Sequence, residues 1–279
     1  FVERWVRGNG GVEGMGREAV DCVVGELDLG QLSLKDVKQI VKPSGILSPH
    51  RLIDFFDEYA VSGTFGCFGT GPGQFKSVAD VAVHGEGSEE RVAAVDAKAC
   101  RVLVFNVGSG ACVACVGSMG NGPGQFEYPC GVAFNHRGEM FVSDIELHRI
   151  SVFDASGLYL RSFGSEEAGQ GNFISPQGLG FTSGGELVVV DGGNHRVQIL
   201  REDGTFVRTF GSKGTGEGQF DIPIDVAIGG DGRMYVVDQG NARVVEFDRE
   251  GGYVREIGSR GDGPGQFQKP FGVALGEDG

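Results

Sequence analysis

The side chains in this sequence that could do chemistry recur in register. An Asp is followed five positions later by an Arg in four related phrases, "AVDAKACRVLVF", "VSDIELHRISVFD", "VVDGGNHRVQIL" and "VVDQGNARVVEFD". The pairs are Asp96 with Arg101, Asp144 with Arg149, Asp191 with Arg196, and Asp238 with Arg243. A carboxylate beside a guanidinium across a tight loop makes a planar, charge-assisted pair, and the carboxylate can also accept turn N–H groups. Acid–base catalysis needs unlike groups in unlike environments, whereas a motif repeated in every copy supplies like ones. The expectation is a structural loop clasp.

Cysteine and histidine lead to the same conclusion. Cys112 and Cys115 form a C-x-x-C, but "ACVACV" reads as strand. Residues three apart on a strand face opposite sides, which suits neither a zinc site nor a redox turn. The six cysteines are expected to be buried free thiols, which favours an intracellular, cytoplasmic setting. His148 and His195 share one repeat position, just before the Arg, and His50, His84 and His136 fall in segments read as a helix start or turns. No H-x-x-x-H or Cys/His cluster occurs. No catalytic, cofactor-binding or metal-binding residue is assigned, and the chain is expected not to be an enzyme.

The elements that position these groups follow from a second repeat. Phe75, Phe126, Phe173, Phe220 and Phe267 each end a Gly-rich phrase such as "GPGQF", at spacings of 51, 47, 47 and 47 residues. Such a period signals a solenoid, an array or a propeller. From Pro223 to Gly258, four β-rich runs are separated by short turns such as "GGDG", "QGNA" and "REGG". Each unit therefore reads as a four-stranded antiparallel meander. Its second strand ("LVVV", "MYVV") is apolar on both faces, so neighbouring copies must cover it. The predicted fold is an all-β propeller over residues 65–279, with about four complete blades (78–117, 129–164, 176–211, 223–258) and two partial ones. Each "GQF" Phe is expected to plug the seam between blades. Further blades are expected beyond Gly279. The first copy carries three extra residues between Phe75 and Asp96, where "HGEGSEER" replaces a short turn.

Residues 1–60 differ. "LSLKDVKQIV" places Leu34, Val37, Ile40 and Val41 on one helical face behind Ser33 as N-cap, and "SPHRLIDFFDEYA" restarts a helix at Ser48. "FVERWV" and "EAVDCVV" read as two further short helices, so a small α-helical segment is expected ahead of the propeller.

Composition narrows the partners. The 51 glycines accompany a 40% hydrophobic chain, as expected of turns in a packed protein. A surplus of 38 Asp and Glu over 24 Lys and Arg gives a net charge of −14. Of these, 28 acidic and 17 basic residues belong to the propeller part, so nucleic acid is an unfavoured partner. No apolar run is long enough to span a membrane as a helix.

The phrases "GPGQFEYPCGVAF", "GELVVVDGGNHRVQIL" and "GQFDIPIDVAI" resemble NHL repeats. That resemblance implies a propeller, commonly six-bladed, acting as a binding platform. Family hosts include tripartite-motif proteins with ubiquitin-ligase and RNA-binding activity, a secreted peptide-amidating lyase, and bacterial sensors. The helical run containing "LDLGQLSLKDVKQIVKPSGILS" resembles the BACK region that follows a BTB domain, which implies an adaptor bringing a client to a cullin-type ubiquitin ligase. The leading expectation is a non-catalytic protein-binding scaffold. RNA binding of the tripartite-motif type is the alternative, and a lyase of the amidating type comes third. No cofactor is expected, and the protein client is unassigned. The variable loop tips place the partner-binding rim at Ile145, Glu146, Leu147, Asn194, His195, Gln239 and Asn241.

Overall fold

Short turns rich in Gly, Asp and Asn separate runs of Val, Ile, Leu and Phe, and such turns reverse a strand rather than extend it. The computed structural model describes residues 21–24, 68–69, 71 and 73–276. Four meanders follow one another, each a four-stranded sheet in sequence order. Blade A holds β2 (Val78–His84), β3 (Arg91–Asp96), β4 (Arg101–Asn106) and β5 (Cys112–Val116). Blade B holds β6 (Pro129–Phe134), β7 (Met140–Asp144), β8 (Arg149–Phe153) and β9 (Tyr159–Phe163). Blade C holds β10 (Pro176–Phe181), β11 (Leu187–Asp191), β12 (Arg196–Leu200) and β13 (Phe206–Phe210). Blade D holds β14 (Pro223–Ile228), β15 (Met234–Asp238), β16 (Arg243–Phe247) and β17 (Tyr253–Ile257). A short parallel pair, β18 (Ser259–Arg260) with β19 (Gln266–Phe267), leads into β20 (Pro270–Ala274), which aligns with the first strands.

The first strands β2, β6, β10, β14 and β20 touch one another in series, so they are innermost and line the central channel. Each first strand of a complete blade makes a bulge against its second, for instance between Pro129 and Val132. Recurrence of one bulge gives the blades the same twist, which lets them stack as copies. Loops joining second to third strands and loops joining blade to blade emerge at one end of the channel. The turns between first and second strands, and between third and fourth, emerge at the other.

The core lies in the seams. Phe126 packs between Val95, Val102 and Val116 of blade A and Val132, Met140 and Phe153 of blade B. Phe220 does the same between blades C and D, beside Val190, Val197 and Phe247. Phe173 joins blade B to blade C, and Phe267 packs on the far flank of blade D. The wedge leaves room for nothing larger than hydrogen at the end of the preceding fourth strand. Gly211 sits at φ 90°, and a Cβ there would lie 2.4 Å from the Phe220 ring. Gly117, Gly164 and Gly258 occupy the same place against Phe126, Phe173 and Phe267.

One expectation about the N-terminal segment is corrected. "EAVDCVV" reads as helix, yet Asp21–Val24 is a strand, β1, paired antiparallel with β20 so that Asp21 faces Ala274. Val23 and Val24 are of a type that favours strands. The edge of β20 also presents backbone N–H and C=O groups that need partners. The remaining helical expectations for residues 1–60, and the BACK-like pattern with them, lie outside the described residues.

Candidate functional site

The Asp–Arg pairs sit where a second strand turns into a third, and both groups reach the Gly-rich loop that enters the same blade. In blade C, Asp191 accepts hydrogen bonds from the Ile174 N–H (2.8 Å), the Asn194 side chain (2.9 Å), the Gln198 side chain (3.0 Å) and Arg196 Nε (2.7 Å). Arg196 Nη2 donates to the Gly169 carbonyl (2.7 Å). In blade D, Asp238 accepts from the Asp221 N–H (2.7 Å), Asn241 (2.7 Å) and Arg243 Nε (2.9 Å), while Arg243 Nη2 donates to the Gly216 and Gln219 carbonyls (both 2.9 Å). The carboxylate thus takes the loop's N–H groups and the guanidinium takes its carbonyls. In blade A the Arg101–Asp96 contact lengthens to 3.4 Å.

Blade B departs from this. Asp144 accepts four N–H groups, from Glu127, Tyr128, Glu146 and Leu147, at 2.9–3.1 Å. Arg149 turns instead to the carbonyls of Asn121, Gly122 and Gln125. Four N–H donors already satisfy the carboxylate, so the same loop is held without a direct ion pair. Arg149 Nε has no hydrogen-bond partner.

In blades A, B and C the residue just before the Arg stitches one blade to the next. His148 Nδ1 accepts from the Ser175 N–H (3.0 Å) and His195 Nδ1 from the Ile222 N–H (3.1 Å). Cys100 Sγ donates to the Glu127 carbonyl (3.2 Å) in the equivalent place. All three adopt left-handed backbone, with φ between 52° and 54°.

These bonds bear on the rim residues. Asn194 and Asn241 direct their amides to the clasp aspartates, His195 to the next blade, and Gln239 to the Pro270 carbonyl (3.3 Å). Glu146 is exposed, with Ile145 and Leu147 half-buried beside it. Other apolar side chains are exposed at this end, Phe68 and Met119 on the entry loops among them. Tyr128, Ile222 and Phe271 are 41%, 48% and 53% exposed, on three inner strands or just ahead of them, around the channel mouth. Their signal in the sequence is faint, since each merely flanks the Pro that opens a first strand.

The channel wall holds two groups that sequence reasoning missed. The first strands read Pro-x-Gly in blades B and C and in β20, but Asp80 and Asp225 replace that Gly in blades A and D. Asp80 accepts from the Val132 N–H of blade B (2.8 Å), and Asp225 from the Val273 N–H of β20 (2.9 Å). Each therefore ties its inner strand to the next one. Burial pushes both carboxyls up, Asp80 to about 7 and Asp225 to about 8, and the charge of Asp80 adds to the rise at Asp225. Cys130, hydrogen-bonded to Gln177 across the neighbouring strands (3.4 Å), is pushed up to about 12 by burial and the same carboxylates. Among the described residues, no three His, Cys, Asp or Glu side chains gather into a metal-holding group.

The fold and its seams define an all-β propeller of four-stranded antiparallel blades. Residues 173–200 match the family model of the NHL repeat, and residues 229–278 match a family model described as a 6-bladed beta-propeller. Both support a propeller of the NHL type. The fold is similar to that in a nidogen/laminin complex, at 18% identity and TM-score 0.52 over 71% of this chain and 68% of that one. It is also similar to virginiamycin B lyase from Staphylococcus aureus, at 14% identity and TM-score 0.52, covering 71% of this chain and 60% of the lyase. A Bacteroides thetaiotaomicron protein of unknown function gives 19% identity and TM-score 0.53, covering 71% of this chain and 54% of that one. At these identities the likeness is one of fold. No curated protein matches the chain.

Proposed function

We propose that the protein is a non-catalytic scaffold that binds a protein client at the clasp end of its channel. The observation that carries this reading is the set of exposed apolar side chains at the starts of inner strands, Tyr128, Ile222 and Phe271, at the end that the clasps hold. Ile222 adds weight, because a β-branched apolar side chain is left nearly half exposed there. Lys269 lies 5.1 Å from the centre of the Phe271 ring, giving this edge a cation beside an aromatic face. Glu146, Ile145 and Leu147 extend the surface outward.

The test compares crosslinked client recovery by the intact chain with that by a triple variant, Tyr128→Ser, Ile222→Asn and Phe271→Ser. Asn tolerates the left-handed conformation, so the variant is expected to keep its melting temperature while losing the client. A client retained in full by the triple variant would refute this surface. The BACK-like pattern of residues 1–60 supports a narrower reading, in which the client is presented to a cullin-type ubiquitin ligase. Crosslinked complexes that contain the client but no cullin would remove that narrower reading.

A further inference from the structure

The end of the channel opposite the clasps carries a cleft of about 590 Å³ in the seam between blades A and B. That volume is within the range of small-ligand pockets. Its apolar lining comes from Val104 and Ala114 of blade A and from Phe134 and Met140 of blade B. The cleft lies beside the three-residue expansion of the β2–β3 turn, where a short 3-10 turn at Gly87–Glu89 replaces the tight reversal of the other blades.

Beside the expansion, His84 and Arg91 lack, among the described residues, the partners that their counterparts have. His84 and Arg91 face each other across β2 and β3. At the register of His84, Asn135 accepts the N–H groups of Arg137 and Glu139, and Thr182 accepts that of Glu186. His84 makes no such bond to a described residue and lies against the Phe134 ring, with centroids 5.4 Å apart. At the register of Arg91, Glu139 pairs with Arg137, Glu186 with Arg208, and Arg233 with Glu246. Arg91 has no carboxylate partner among the described residues. Its Nη1 donates to the Ala155 carbonyl across the seam (2.6 Å), which holds the guanidinium in place. The other charges that border the cleft are accounted for. Arg137 is taken by Glu139 and Glu202, and Asp154 by the N–H groups of Ser156 and Leu158. Glu89 stands exposed on the 3-10 turn.

We infer that this cleft binds a small organic monocarboxylate, with its apolar body against Phe134, Met140 and Val104 and its carboxylate on Arg91 and His84. A guanidinium already oriented by one carbonyl gives a carboxylate charge-assisted bonds with little further ordering. One guanidinium at the cleft without a carboxylate partner among the described residues, in a chain of net charge −14, suits a monoanion better than a phosphate dianion. The site is distinct from the clasp-end surface and does not depend on it.

The experiment is isothermal titration of the intact chain with 3-phenylpropionate and with its neutral analogue 3-phenylpropanol. Saturable binding of the acid is expected on the order of 0.1–1 mM, with the alcohol weaker by about tenfold or more. Arg91→Gln should bring the acid down to the level of the alcohol and leave the alcohol and the melting temperature unchanged, and His84→Gln should weaken the acid alone. Equal binding of acid and alcohol, a preference that survives Arg91→Gln, or no binding of the acid at several times that concentration would overturn the assignment.

Discussion

The seam wedge gives the sharpest test of how this fold is held together, through a double-mutant cycle on Gly211 and Phe220. Phe220 is fully buried between blades C and D, so Phe220→Ala removes a whole ring from a closed space and should destabilise by about 3–5 kcal/mol. Gly211→Ala is unfavourable for two separable reasons. An alanine held at φ 90° is strained by about 1–2 kcal/mol, and its Cβ would lie 2.4 Å from the Phe220 ring. The ring is boxed in by Val190, Val197 and Phe247 and cannot give way freely, which adds about 1–3 kcal/mol of overpacking. In the Phe220→Ala background the clash is gone and only the backbone strain remains. The double variant should therefore be less destabilised than the two singles together, by about 1–3 kcal/mol. Urea unfolding followed by circular dichroism measures all four corners of the cycle. Additivity within about 0.5 kcal/mol would refute the claim that this glycine exists to seat the ring.

Other outcomes follow from the clasps, the channel and the thiols. Asp191→Ala removes the carboxylate that Arg196 Nε, the Gln198 amide and the Ile174 N–H share and should destabilise by about 3–5 kcal/mol in the same assay, whereas an unchanged midpoint would deny the clasp a structural role. Because burial raises the folded pKa of Asp80 and Asp225 above the unfolded value of 3.8, their contribution is full below that value and is lost as pH rises through about 7 to 8. The melting temperature should accordingly fall between pH 5 and pH 8, with a shallower slope in Asp225→Asn, and a rise over that interval would show the sign to be wrong. Among the described cysteines, exposed Cys115 should react first with a thiol reagent, and Cys100 and Cys130, both raised by burial, should react last. Faster labelling of Cys130 would mean that the channel is open to bulky reagents.

Much of the architecture was legible from the chain alone, because a blade is a local object. The 47-residue period, the turns within each unit and the apolar second strand all act within one meander, and together they specify four strands in order. The Asp–Arg phrase was readable for the same reason, since its two residues face each other across one hairpin. Where neighbours compete for the same group, the reading stopped short. Nothing local distinguishes Asp144, which four N–H groups satisfy, from Asp191, which takes an arginine. The rim residues Asn194 and Asn241 look like free loop tips in sequence, but the nearest carboxylate claims each amide.

Tertiary structure decided what depends on separate blades meeting. Asp80 and Asp225 belong to different repeats and influence each other only because the inner strands curve around one channel. The strand at Asp21–Val24 arises from pairing with β20, at the other end of the described chain, against a local pattern that reads as helix. Arg91 likewise reaches the Ala155 carbonyl of blade B, a contact that exists only once the two blades meet. Repeated turns and alternating apolar runs act over a few residues and so write themselves into the sequence. The charges and edges that face one another across a ring are set only when the ring forms.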